Sequence, residues 1–216
     1  MRILLDLDGT LTDPKLGITS CIRYAFERMG LTPPPADDLH WCIGPPLIES
    51  FRTLVGNHDA ERALTIYRER FATLGMFENE LYPGIADMVA GQAALGRRIY
   101  LATSKPHAFA KPILEHFGLA AHFAGIYGSE LDGTRVDKPD LLRYIAEREG
   151  IVPGSAIMVG DRRFDVEGAR AIGATSIWAD WGYGEPDERD TAGPDVICGA
   201  PSQLTGILAV LDEAAR

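Results

Sequence analysis

The chain has 216 residues, 46% of them hydrophobic and 24% charged, which suffices for one sizeable domain or a core with a smaller satellite. Its formal net charge of −10 argues against nucleic acid or an anionic membrane surface as a partner, since neither is drawn by such a field. The three cysteines, Cys21, Cys42 and Cys198, are odd in number and widely spaced, which argues against a disulfide framework or a zinc site and fits a reducing, cytoplasmic setting.

The chain opens on "RILLDLDGTLTD", an apolar strand that runs into acids. Only Ile3, Leu4 and Leu5 separate Arg2 from the first of them, too short a run for a secretion signal, and no later run reaches membrane-spanning length. "DGT" is turn chemistry, which accounts for Asp8 and Gly9. Asp6, set among Leu4, Leu5 and Leu7, has no such account, because a buried carboxylate is costly without compensation. Ile18, Cys21, Ile22, Ala25, Phe26 and Met29 then recur at helical spacing, with Gly30 as the stop. "PLIESFRTLV" and "DAERALTIYRERFATLGMF" predict two further helices, the second with an apolar face of Ala63, Leu64, Tyr67, Phe71 and Leu74. Between them, "WCIGPPLIESF" has two equal readings. Gly44, Pro45 and Pro46 form a bend that presents Ile43 or a backbone amide to a substrate, or they are a helix-to-helix turn with Pro at the helix start.

Beyond residue 83 helix and strand alternate, with strands at 98–103, 124–127, 156–160, 175–178 and 195–197 and helices at 106–117, 140–149, 163–172 and 201–215. Repeated βα units predict an α/β fold, a Rossmann-like parallel sheet with helices on both faces. Residues 1–13 and 84–216 form this core, and the helical block 14–83 is an insertion after the first strand. "ADWGYGEPDERD" is read as a solvated surface connection, with Trp181 and Tyr183 as its residues nearest a site. Arg162 and Arg163 are read as surface groups or as facing the insertion.

Ligands of such sheets bind beyond the carboxyl ends of the strands. Those ends carry Asp6 and Asp8, then Thr103, Ser104 and Lys105, then Asp161 with Asp165 just beyond, while Lys138 precedes another helix. Four carboxylates at one edge call for a cation, and Mg²⁺ suits a few carboxylates with a phosphate oxygen. Thr103 or Ser104 supplies a hydroxyl and Lys138 a charge to a phosphate, with Lys105 as the competing cation; Lys15 and Arg52 are further anion contacts. Asp6 is the candidate nucleophile, and Asp8, on the same face of an extended segment, the candidate general acid and base.

The ordered set "DLDGTLTD", "IYLATS", Lys138 and "IMVGDRRFD" resembles the motifs of the haloacid dehalogenase superfamily across almost the whole chain. That resemblance implies Asp6 as nucleophile, Asp8 as acid/base, and catalytic roles for Thr103 and Lys138. It implies Mg²⁺ held by the Asp6 carboxylate, the Asp8 carbonyl and Asp161, with Asp165 supporting. The insertion matches the family's class I helical cap, in which Ile43, Gly44 and Pro45, with Ser104 and Lys105 from the core, are the substrate-contact candidates. "SKP" and "GSELDGTRVDKPDLL" resemble phosphoglycolate phosphatase and its relatives, with departures at Ser104, where many have Asn, and Arg162, where Ser or Thr is usual.

The implied activity is Mg²⁺-dependent hydrolysis of a small phosphorylated metabolite, phosphoglycolate phosphatase-like, by a monomer or homodimer. A nucleoside 5'-monophosphate phosphatase and a sugar-phosphate phosphomutase are the alternatives. A phosphoacceptor receiver domain shares the acids and the Lys but lacks a second acid like Asp8 and the insertion; the family's dehalogenase branch needs neither Asp8 nor Mg²⁺.

Overall fold

The computed structural model describes residues 1–214. The chain divides into two compact units, Met1–Thr12 with Leu81–Arg216, and Asp13–Glu80.

The first unit is built on a parallel sheet whose strands are β1 (Arg2–Leu5), β4 (Arg98–Pro106), β5 (Gly125–Ser129), β6 (Ala156–Gly160), β7 (Thr175–Ala179) and β8 (Val196–Cys198), in the order β5-β4-β1-β6-β7-β8. The short strands β2 (Thr12–Asp13) and β3 (Glu80–Leu81) pair with each other where the chain leaves and re-enters this unit. Helices α4 (Ile85–Ala94), α5 (His107–His116), α6 (Lys138–Glu149), α7 (Arg163–Ala171), α8 (Pro186–Ala192) and α9 (Pro201–Ala214) follow the strands in alternation. The expected end of the last helix at Ala215 lies outside the described residues.

β1 pairs with β4 (Leu5 opposite Leu101) and with β6 (Leu5 opposite Val159). Its Ile3, Leu4 and Leu5 are fully buried, as a central strand covered on both faces requires. On one face Leu4, Tyr100, Ala102 and Met158 pack under Leu141, Leu142 and Ile145 of α6 and Ala169 of α7. The order of the sheet reverses between β1 and β6, so the carboxyl ends of these neighbours flank the switch point at which such folds bind ligands.

The sequence places Asp6 inside the first strand, but β1 ends at Leu5. One more rung, Asp6 N–H to Val159 O at 3.0 Å, fixes Asp6 before the chain turns away. The segment expected to be a solvated connection contains α8, and residues 180–185 pack against the turn after β1 and the end of β6.

The second unit holds α1 (Lys15–Arg28), a short 3-10 segment (Ala36–Cys42), α2 (Leu47–Val55) and α3 (Ala60–Arg70). Gly30, at φ +75°, ends α1 as expected. The third helix departs from its predicted face: after Arg70 it continues as a π turn, Phe71–Gly75, with Met76 N–H bonded to Phe71 O at 3.0 Å. The added residue rotates this last turn, so Leu74 is 57% exposed and Gly75 is buried. Gly75 then lies against Cys21, and the Gly17 N–H donates to Glu78 O at 2.9 Å. Cys21, Cys42 and Cys198 are buried thiols outside any disulfide.

Candidate active site

The turn after β1 is closed by Leu7 O, which accepts from the N–H groups of Thr10, Leu11 and Thr12 at 3.2, 2.9 and 3.0 Å. Gly9 sits in it at φ +81°, and a Cβ there would lie 2.1 Å from Asp161 Oδ2. Glycine is required both by the left-handed backbone and by the carboxylate beside it. Asp161 follows β6, which is hydrogen-bonded to β1, so sheet register brings together acids separated by most of the chain. Asp165 lies in the first turn of α7 and bends back, its Oδ2 accepting from Arg162 N–H at 3.1 Å. Gly160 makes room for it, since a Cβ there would stand 2.0 Å from Asp165 Cγ.

Asp6, Asp161 and Asp165 are all buried, and each offers a carboxylate oxygen within 4.8 Å of the others. Lys138, the first residue of α6 and also buried, reaches between two of them. Its Nζ is 3.1 Å from Asp6 Oδ1 and 2.7 Å from Asp165 Oδ1, and donates to Ala102 O at 2.9 Å. Gly168 on α7 leaves room for that stem, with a Cβ there 2.9 Å from Lys138 Cγ. Asp8 takes a different cation: Lys105 Nζ is 2.7 Å from its Oδ2. Among the described residues the buried Asp8 Oδ1 has no hydrogen-bond partner.

Burial pushes the Asp161 carboxyl well above the usual range, and the charges of Asp165 and Asp6 add to it. Burial also pushes Asp165 up to about 6, with Lys138 opposing and Asp6 adding. Asp8 is raised by burial, partly offset by Lys105. Burial pulls the Lys138 ammonium down, but Asp165 and Asp6 outweigh it, so its pKa ends above the usual value. These acids face two ammonium groups, Lys138 and Lys105, among the described residues. With all four carboxyls ionised, the excess is about two negative charges. Buried oxygen donors with that excess fit a hard divalent cation.

Thr103 is buried, and its Oγ1 accepts from Lys105 N–H at 3.2 Å. The pairing of β4 with β5 slips between Thr103 and Pro106, so Ser104 and Lys105 occupy a bulge, a device that re-aims side chains beside sites. The Ser104 carbonyl is held by Ser129 Oγ at 2.7 Å. Thus Asp6, Asp161, Asp165 and Lys138 form one cluster, Asp8 and Lys105 a second pair, and Thr103 and Ser104 lie at the end of β4. Ile43, Gly44 and Pro45 belong to the Asp13–Glu80 unit, where Gly44 at φ +105° turns the chain into α2. In that unit Lys15 pairs with Asp37 at 2.9 Å and Arg52 pairs with Glu49, so both expected anion contacts already have acidic partners.

The segment read as a solvated connection forms the other wall of the Asp161 site, through the two residues, Trp181 and Tyr183, that the sequence put nearest a site. Tyr183 N–H donates to Asp161 Oδ2 at 2.7 Å, and Trp181 Nε1 donates to Thr10 O at 3.1 Å. Arg162, expected at the surface or facing the insertion, instead pairs with Glu188 of α8 at 3.1 Å. The packed character of this wall has its signal in the sequence: β7 also ends at this edge, and after Asp180 comes "WGYG" with its paired glycines.

A family model for haloacid dehalogenase-like hydrolases matches residues 3–179. Among curated proteins the chain is 40% identical to a 5'-nucleotidase of Pseudomonas aeruginosa, over 96% of this chain and 95% of that one. It is 37% identical to the tyrosine-protein kinase PtkA of Mycobacterium tuberculosis, over 90% and 67%. It is 30% identical to a phosphoglycolate phosphatase of Shigella dysenteriae, over 90% and 87%. Among solved structures, a predicted phosphatase from Clostridium acetobutylicum superposes with a TM-score of 0.91 at 38% identity, covering 97% of this chain and 98% of that one. No helix among the described residues is long and apolar enough to cross a membrane. The chain belongs to the haloacid dehalogenase-like hydrolase family, as a phosphoric monoester hydrolase.

Proposed function

We propose that the protein hydrolyses a small organic phosphomonoester through a phosphoaspartate on Asp6, with Mg²⁺ held by Asp6, Asp161, Asp165 and the Asp8 carbonyl. The observation that carries this reading is the buried cluster of Asp6, Asp161 and Asp165 crossed by Lys138, whose charge excess matches one divalent ion. A divalent ion held by these residues would supply charge screening between the carboxylates and a phosphoryl group.

Asp6 attacks phosphorus and the ester P–O bond breaks, while Asp8 gives its proton to the departing alkoxide. Burial, which raises the Asp8 pKa, favours the protonated form this step needs. In the second half Asp8 takes a proton from water, the water oxygen attacks phosphorus, and Asp6 leaves as carboxylate with release of inorganic phosphate. Lys138 holds the Asp6 carboxylate in place, and Thr103 donates its hydroxyl to a phosphoryl oxygen. Substrate choice is assigned to the helical insertion, with Ile43, Gly44 and Pro45 as the candidate residues.

Two substrate classes have support. The 40% identity to a 5'-nucleotidase along nearly the full length of both chains favours nucleoside 5'-monophosphates; "SKP", "DKP" and the 30% identity to a phosphoglycolate phosphatase favour 2-phosphoglycolate. The test is phosphate release with Mg²⁺ from nucleoside monophosphates, 2-phosphoglycolate and sugar phosphates. Asp6→Asn should lose at least about a thousandfold in rate while folding normally. Hydrolysis by Asp6→Asn at the wild-type rate would refute the assignment, and isomerised sugar phosphate without free phosphate would point to a mutase.

A further inference from the structure

Residues 181–184 touch the Asp161 site at several points. The Trp181 indole N–H holds Thr10 O, and the Tyr183 amide holds Asp161 Oδ2. Gly182 lies so close that a Cβ there would stand 2.2 Å from Asp161 Cβ and 2.5 Å from Gly9 O. A Cβ at Gly184 would lie 2.0 Å from Asp161 O and 2.3 Å from the Trp178 ring. No larger residue fits either position without moving the backbone, so the segment is shaped to the Asp161 carboxylate. Its far end is tied down as well. Glu188, in α8, accepts from Arg162 Nε at 3.1 and 3.2 Å and from Arg163 N–H at 2.9 Å. The chain that leaves Asp161 is thus bonded to the helix just beyond the segment clasping it.

We propose that residues 181–184, latched through Glu188 to Arg162, form a positioning element that sets the rotation of the Asp161 carboxylate for a divalent cation before the cation arrives. The inference rests on the reading that Asp161 is a ligand. A carboxylate on a free rotor must be ordered at the moment of binding, whereas one with an oxygen already held by an amide need not be. Glu188 and Trp181 touch neither the ion nor the substrate in this scheme. They act through the Asp161 carboxylate and the turn beside it.

The test is Mn²⁺ binding to the full chain, measured by electron paramagnetic resonance without substrate, in wild type, Trp181→Phe, Glu188→Ala and Gly182→Ala. Glu167→Gln is the control, since Glu167 pairs with the exposed Arg163 on the same helix at 3.2 Å. The Mn²⁺ dissociation constant should rise about tenfold in Glu188→Ala and Gly182→Ala, by a smaller factor in Trp181→Phe, and stay unchanged in Glu167→Gln. The Mg²⁺ concentration for half-activation should rise in parallel while kcat at saturating Mg²⁺ stays within about twofold, a split that general loosening of the fold would not produce. Should Gly182→Ala fail to fold by circular dichroism, the other two variants decide. Wild-type Mn²⁺ affinity in both Glu188→Ala and Trp181→Phe would overturn the inference. Wild-type affinity in Asp161→Asn would instead overturn the metal reading beneath it.

Discussion

Asp6 and Asp8 are separated by one leucine, yet they meet different cations. Asp6 is held at the last rung of β1 and joins Asp161, Asp165 and Lys138; Asp8 lies past the first bend and joins Lys105. Each acid thereby gains its own counter-charge, which lets two buried carboxylates sit so near each other. Lys138 carries the heavier load, because it is the one ammonium in contact with the three-acid cluster among the described residues. Replacing it as Lys138→Met should cost about 3 kcal/mol of stability in denaturant titration at neutral pH without Mg²⁺, because it leaves buried carboxylates unpaired. Turnover should fall at least about a hundredfold. A variant of wild-type stability would show that the cluster is already protonated. The identities of these residues were legible in the sequence, but their pairing was not. That Lys138 faces the three-acid cluster and Lys105 faces Asp8 is a consequence of where α6 begins and where β4 bulges.

At the scale of elements, helical spacing predicted the third helix but not its π turn, because the pattern through Phe71 and Leu74 fits an unbroken α-helix. The close approach of Gly17 and Gly75 accounts for the extra residue, since it turns a glycine rather than a leucine toward α1. A methyl group added as Gly75→Ala would lie 2.4 Å from Cys21 Sγ. Equilibrium unfolding should show a loss of about 1–3 kcal/mol, and an unchanged midpoint would mean that α1 yields at no cost. In the other unit, Asp195 ties the start of β7 to the approach to β8. Its Oδ2 accepts from Ser176 N–H at 2.8 Å and Ser176 Oγ at 2.7 Å, and these bonds hold its carboxyl below the usual range. A depressed folded pKa means that the ionised acid stabilises the fold above the ordinary value of 3.8, and that this gain fades as pH falls below it through the folded value. The stability difference between wild type and Asp195→Asn, about 1 kcal/mol or less at pH 7, should therefore shrink toward zero in strong acid. A difference independent of pH would show that the charge is irrelevant.

For the molecule as a whole, the unit that contains the β-sheet stores electrostatic strain at the carboxyl edge. Asp161 and Asp165 hold protons more tightly folded than unfolded, so the metal-free protein should lose stability as pH rises from near 4 through about 6. A divalent cation at the cluster should reverse this, because it would compete with the same protons. Mg²⁺ at a hundred times its dissociation constant should add about 2.7 kcal/mol, or roughly 5–10 °C in the midpoint for a chain of this size. The gain should be larger at pH 8 than at pH 5, as read by thermal unfolding with and without chelator. Equal shifts at both pH values would contradict the cluster as the binding site.

From the sequence alone came the α/β class, the helical insertion, the strand-end acids and the family, because periodicity and short acidic motifs are local signals and β1, β4 and β6 write theirs in apolar runs. Tertiary structure decided what depends on residues far apart in the chain. Register between β1 and β6 joined Asp6 to Asp161, and packing against Gly9 turned "WGYG" from a polar connection into a wall of the Asp161 site. The physical reason is the same in both cases. A carboxylate's partners are set by which backbones lie within a few ångströms, and that proximity is fixed by sheet order and close glycine contacts rather than by neighbours in sequence.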